Sequence, residues 1–139
     1  MAKYLNDQRW SECLLVAIWN AARFHGLETP EPASDEYFRI CREAHAIHGG
    51  AIGVGFELDR LGLERVPGHL DLRWVREHLP VHFAIFCHRG YHSVLAVEVD
   101  GERLLLANYA RGRTHWIEWD LLKRMTPDQG WPCQYRRTK

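Results

Sequence analysis

The chain reads as an α+β fold, with a buried N-terminal helix packed against a C-terminal antiparallel sheet. Two observations carry this. The stretch "CLLVAIWNAARFHG" is apolar nearly all round, which is the pattern of a helix enclosed on every side. After Pro80 the pattern changes to short runs, "VHFAIFC", "HSVLAVEV", "RLLLA" and "THWIEW". These are rich in Val, Ile, Leu and aromatics and are broken by Arg-Gly, Asp-Gly and Arg-Gly-Arg, the punctuation of antiparallel strands. Helices first and strands second give an α+β arrangement. A length of 139 residues fits one domain, 1–139.

The elements follow in order. Ser11 is a good N-cap for a helix from Glu12 to His25, and Gly26 is placed as its stop. "LETPEPAS" is a loop. Ser34 can cap a second helix from Asp35 to about Ala46, ended by Gly49-Gly50. "VGFELDRLG" is a short third helix closed by Gly62. Asp71 caps a fourth, Leu72 to Leu79, which Pro80 ends. "DLLKRM" is a helical turn after the last strand, and "QYRRTK" is a short, basic, solvated terminus.

Composition narrows the partners. Lys plus Arg equals Asp plus Glu at 18 each, so nothing asks for nucleic acid or an anionic membrane. No apolar run approaches the ~20 residues of a membrane span, and "MAKYLNDQRW" lacks the apolar core of a secretory signal. Cys13, Cys41, Cys87 and Cys133 are far apart with no CxxC, which fits reduced thiols in a cytosolic protein.

Cys13 raises the functional question. A cysteine beside an apolar run is usually a small core residue. In the first turn of a capped helix, however, the unpaired N–H groups and partial positive charge favour the thiolate, the reactive form. The Cys13 N–H can also donate to an oxyanion. Gln8, five residues upstream, offers a second oxyanion donor, although a solvated loop glutamine is the plainer reading. His92 opens an apolar strand and can act as general base toward the thiol. Asn108 ends the next strand, where its amide can fix the imidazole tautomer or simply form a turn. Hairpin register decides whether these two meet. A loop of Val99-Asp100-Gly101 sets His92 opposite Asn108, whereas a loop of Asp100-Gly101 alone sets it opposite Tyr109. A bulge near His92 would also restore the alignment.

Gln, then Cys opening a buried helix, then His opening a strand, then Asn on the next strand is an order that resembles the papain-like cysteine peptidases. It is most similar to the compact bacterial group that includes the bacteriocin-leader-processing peptidases. The likeness extends through "LPVHFAIFCHRGYHSVLAVEVDGERLLLANYARGRTHWIEWDLLKR". Leu14 stands where that group usually carries Gly or Trp. The resemblance implies Cys13 as nucleophile, His92 as general base and acid, Asn108 as the orienting residue and Gln8 as oxyanion donor. It implies a peptidase or isopeptidase acting on a peptide or protein substrate, with no cofactor.

Three other readings compete. "HFAIFCHRGYH" and "HAIH" hold His82, Cys87, His88, His92, His45 and His48, but Cys87 and His88 point to opposite faces of a strand and make a poor zinc set. The same Cys-His-Asn set serves deamidases and acyl transferases, since all pass through a thioester. An inactive module of this fold would only bind a peptide or protein.

Overall fold

The computed structural model describes residues 3–6, 13–48, 55–87, 90–110, 112–126 and 132–138. The chain is α+β, with an N-terminal helix packed on a six-stranded antiparallel sheet. Helix α1 spans Cys13–Phe24, α2 Asp35–His48 and α3 Gly55–Leu61. Strand β1 (Leu63–Pro67) and helix α4 (Leu72–Glu77) follow. Then come β2 (Val81–Cys87), β3 (Gly90–Asp100), β4 (Arg103–Ala110), β5 (Arg113–Glu118), α5 (Trp119–Met125) and β6 (Cys133–Arg137). The strand order is β1-β6-β2-β3-β4-β5.

The expected stops are visible in the backbone. Gly26 takes a φ of 78°, and the Leu27 N–H reaches the Ala22 carbonyl at 2.9 Å, which closes α1 with a left-handed cap. The Ser34 hydroxyl accepts from the Tyr37 N–H at 3.1 Å and starts α2. Asp71 caps α4 through the Arg73 N–H, although that helix ends at Glu77 rather than Leu79. Ser11, Glu12 and Gly49-Gly50 lie outside the described residues.

The sheet is covered on both faces. Leu15, Val16, Ile18 and Trp19 of α1 meet Ile40 of α2 and the sheet residues Leu95, Val97 and Ala107 in one core. Val75 of α4 and Trp119 and Leu122 of α5 pack on Phe83, Val94, Leu104 and Leu106 in the other. Burial of this kind contributes roughly 25 cal/mol per Å² of apolar surface and accounts for the stability of the layers. Two polar groups sit deep beside α1. The Trp19 indole N–H donates to Glu57, which is fully buried and held by Arg60 Nε and Nη2 at 2.6 and 2.7 Å. Asn20 binds both backbone groups of Leu5, accepting at 2.7 Å and donating at 3.0 Å.

Two strands depart from the expectation. β1 was covered by no predicted element, and β6 contains much of the segment read as a solvated tail. They pair with each other from Leu63↔Arg137 to Pro67↔Cys133, and β6 continues onto β2. Cys133 and Tyr135 alternate inward while Arg136 and Arg137 face water. With only two inward residues, the period-2 signal is too short to stand out against the charge, and the partner lies about seventy residues away. Tertiary pairing decides such a strand.

Register departs as well. The β3–β4 hairpin turns at Gly101-Glu102, with Asp100 opposite Arg103, so neither anticipated loop is used. Pairing runs Val99↔Leu104 and Glu98↔Leu105, then shifts across a bulge to Ala96↔Leu106 and Leu95↔Ala107. No helix among the described residues is long and apolar enough to cross a membrane.

Candidate functional site

Cys13 is the first residue of α1 in the described chain, with its thiol half-buried against the start of β3. His92 sits near the beginning of β3, opposite Ile85 of β2, and is 7% exposed. The thiol and the imidazole face each other closely enough to act on each other's ionisation. His92 Nε2 lies 2.7 Å from the Asn108 main-chain oxygen. A carbonyl only accepts, so Nε2 carries the proton in this arrangement. That leaves the Nδ1 lone pair as the base a thiol proton would need.

Asn108 reaches the site through its backbone and not through its amide. It does not face His92 as a ladder partner, because the register beyond the bulge, Leu95↔Ala107, runs two residues away from that pairing. Instead β4 carries a second irregularity, between Leu106↔His115 and Ala110↔Arg113, and Asn108 within it takes a φ of 65°. Asn tolerates this left-handed conformation better than other residues with a side chain. The turn-forming property of asparagine, which competed with the tautomer role in the sequence, is thus the one that brings Asn108 to the histidine. Its side-chain Nδ2 is buried without a hydrogen-bond partner among the described residues.

Two contributors escaped the sequence reading. Ser93 lies beside the Cys13 sulfur, where its backbone N–H and hydroxyl favour the thiolate. It follows His92 directly, and its hydroxyl was the only visible signal. Asn6 accepts the Asn108 N–H at 2.6 Å, pinning the left-handed residue from the other side. Asn6 adjoins Leu5, which Asn20 of α1 grips. Hydrogen bonds therefore tie α1 to the N-terminal segment, that segment to Asn108, and Asn108 to His92. Gln8, the expected oxyanion donor, lies outside the described residues.

The electrostatics single out Cys13. Burial pushes its thiol up, but the hydrogen bond with His92, the Ser93 N–H, the imidazole charge and the Ser93 hydroxyl outweigh it and bring the thiol below its ordinary range. For His92, burial favours the neutral ring, yet the bond to Cys13, the Asn108 carbonyl and the sulfur's charge raise it. The two shifts agree: each partner stabilises the ionised form of the other. Cys133 is a useful contrast. It lies 3.6 Å from His82 Nδ1 and accepts from Arg65 Nε at 3.2 Å. There burial dominates, so the thiol is raised, and burial with the Arg65 and His92 charges pushes His82 down to about 3. A histidine and a donor beside a thiol do not by themselves lower it: at Cys133 burial outweighs them, and at Cys13 it does not.

If Asn108 acts through its backbone, its side chain is dispensable. Asn108→Gly, which adopts positive φ freely, is expected to keep thiol-dependent turnover within about threefold of wild type, whereas the β-branched Asn108→Val loses at least about tenfold. Turnover of the two variants, with the fold checked by circular dichroism, tests this. Loss in Asn108→Gly as large as in Asn108→Val would return the role to the amide.

No protein-family model matches the chain, and no curated protein matches it.

Proposed function

We propose that the chain is a papain-like cysteine hydrolase that cleaves an amide bond through a thioester. The observation that carries this is the contact of a lowered Cys13 thiol at a helix start with a raised His92 imidazole held by the Asn108 carbonyl. In this reading His92 Nδ1 takes the thiol proton and Cys13 Sγ attacks the substrate carbonyl. The tetrahedral oxyanion faces the Cys13 N–H, with Gln8 as the second donor. Collapse breaks the C–N bond, and His92 returns its proton to the departing amine. Water then attacks the thioester, with His92 again accepting a proton, and the carboxylic acid leaves as the thiol re-forms.

A peptidase or isopeptidase is the class that best fits this set with no cofactor, acting on a peptide or protein; a cytosolic setting fits the reduced thiols. Deamidase and acyl-transferase chemistry would use the same thioester with a different substrate or acceptor. The test is to incubate the protein with a mixed-sequence peptide pool and read new termini by mass spectrometry. Cleavage by wild type that disappears in Cys13→Ala is expected. Equal product patterns from both proteins would sink the proposal, and release of ammonia without new termini would move the reaction to deamidation.

A further inference from the structure

Asn6 is a polar residue in an apolar setting. It is 8% exposed and follows Leu5, which is buried in the core around α1. An amide adds little apolar area to a core, so packing does not account for it. What Asn6 supplies is an acceptor. The interruption between Leu106↔His115 and Ala110↔Arg113 leaves Asn108 outside the β4–β5 pairing, and its N–H goes instead to Asn6 Oδ1 at 2.6 Å. The atom facing that N–H is the oxygen, since an amide nitrogen only donates. Asn6 Nδ2 turns the other way, to the Tyr4 carbonyl at 3.4 Å, and the Asn6 carbonyl accepts from the Gly112 N–H at 3.4 Å. The amide that meets Asn108 is therefore itself held in place.

The same residue of β4 serves His92. The N–H and the carbonyl of Asn108 belong to the two peptide planes that meet at its Cα, so φ and ψ set the angle between them. At a φ of 65° the N–H points to Asn6 while the carbonyl lies 2.7 Å from His92 Nε2. A non-glycine residue released from this conformation returns to negative φ, which turns its carbonyl away from the imidazole. The bond to Asn6 opposes that turn. Asn6 is in turn tied to α1, because the fully buried Asn20 grips both backbone groups of Leu5. α1 is also the helix that carries Cys13 at its start. Nucleophile and base are thus referenced to one helix, the first directly and the second through Leu5, Asn6 and Asn108.

We infer that Asn6 is a positioning residue for His92: by holding the Asn108 N–H it keeps the Asn108 carbonyl on the imidazole Nε2–H and leaves the Nδ1 lone pair for a proton. This rests on the reading of His92 as general base. It adds that the base is in place only while the segment of residues 3–6 is docked on α1.

The test is proton NMR of the His92 ring in the full chain with nitrogen-labelled histidine, a readout that needs no turnover. Wild type is expected to show a downfield Nε2–H resonance protected from exchange with water, as a buried N–H bonded to a carbonyl does. In Asn6→Ala, which removes the acceptor, that resonance is expected to disappear into exchange or to move upfield. For a peptide that wild type cleaves, kcat is expected to fall at least about tenfold with KM within about twofold, the scale of a misplaced catalytic group. Arg60→Ala weakens the fold away from the site and is expected to keep the resonance, with kcat within about twofold of wild type. Should Asn6→Ala not fold, Asn6→Ser, whose side chain is too short to reach the Asn108 N–H, is read in the same way. Absence of the resonance from wild type, its persistence unmoved in the folded Asn6 variant, an unchanged kcat there, or an equal change in Arg60→Ala overturns the positioning role. If wild type and Cys13→Ala give the same products, the hydrolase reading has failed, and the Nε2–H resonance decides the positioning of His92 alone.

Discussion

Replacing His92 with alanine is expected to lower kcat/KM for thiol-dependent hydrolysis by about 10²- to 10⁴-fold, the range of a positioned general acid–base. Two effects combine. The proton acceptor for the thiol and the donor for the leaving amine are lost together. The thiol itself also changes. Burial raises Cys13, and His92 is the largest of the groups opposing that. Without the imidazole the thiol moves up, so the thiolate fraction at neutral pH falls and the remaining activity shifts to more alkaline pH. Kinetics of the variant against pH, with the melting temperature as a check on folding, read both effects. Turnover within about threefold of wild type, with an unmoved pH profile, would remove His92 from the chemistry.

The largest expected effect on stability lies away from the site, at Arg60. Glu57 is fully buried beneath α1, where it accepts the Trp19 indole N–H and both bonds from Arg60. Arg60 itself is about half exposed, with its side chain at 46%. Truncating it leaves a carboxylate in the core without its counter-charge, a situation that costs about 3–5 kcal/mol for a fully buried pair and toward the lower end here, because water reaches the arginine side. Arg60→Ala is therefore expected to lower the melting temperature by about 10 °C. Adding Glu57→Gln removes the orphaned charge while keeping an acceptor for Trp19, and is expected to recover part of that loss. Thermal denaturation of the single and double variants measures both. A double variant less stable than Arg60→Ala would show that the charge is not what destabilises the single variant.

Where a pattern is long and local, the sequence was readable. α1 declares itself by a continuous apolar run and a glycine that must take positive φ, and β2 to β5 by short apolar runs between turn residues. β1 and β6 were invisible because each is five residues long and offers few inward side chains. Their hydrogen bonds come from each other across about half of the chain, and for β6 also from β2, and nothing local encodes that.

What the sequence could not show at the candidate site is its geometry. Cys13, His92 and Asn108 are brought together in the structure, but Asn108 acts with its main-chain oxygen. A sequence pattern reports side chains, so an asparagine suggests an amide. The actual contact depends on a bulge and a φ of 65°, which no residue-type count displays. Ser93 and Asn6 were missed for a related reason. Serine after histidine and asparagine near a chain start are common, and only the folded arrangement aims them at the sulfur and at Asn108. Ser93 is one of the groups that lower Cys13, whereas at Cys133, also beside a histidine, burial pushes the thiol the other way.

The central claim is that Cys13 is an activated nucleophile, and its alkylation rate against pH tests that most directly. Iodoacetamide reacts with the thiolate, so the rate follows deprotonation of the sulfur. With the labelled peptide identified by mass spectrometry, Cys13 is expected to show a midpoint clearly below the ~8.5 of a free thiol, and to lose that advantage in His92→Ala. A midpoint at or above the free-thiol value, unchanged by His92→Ala, would contradict it.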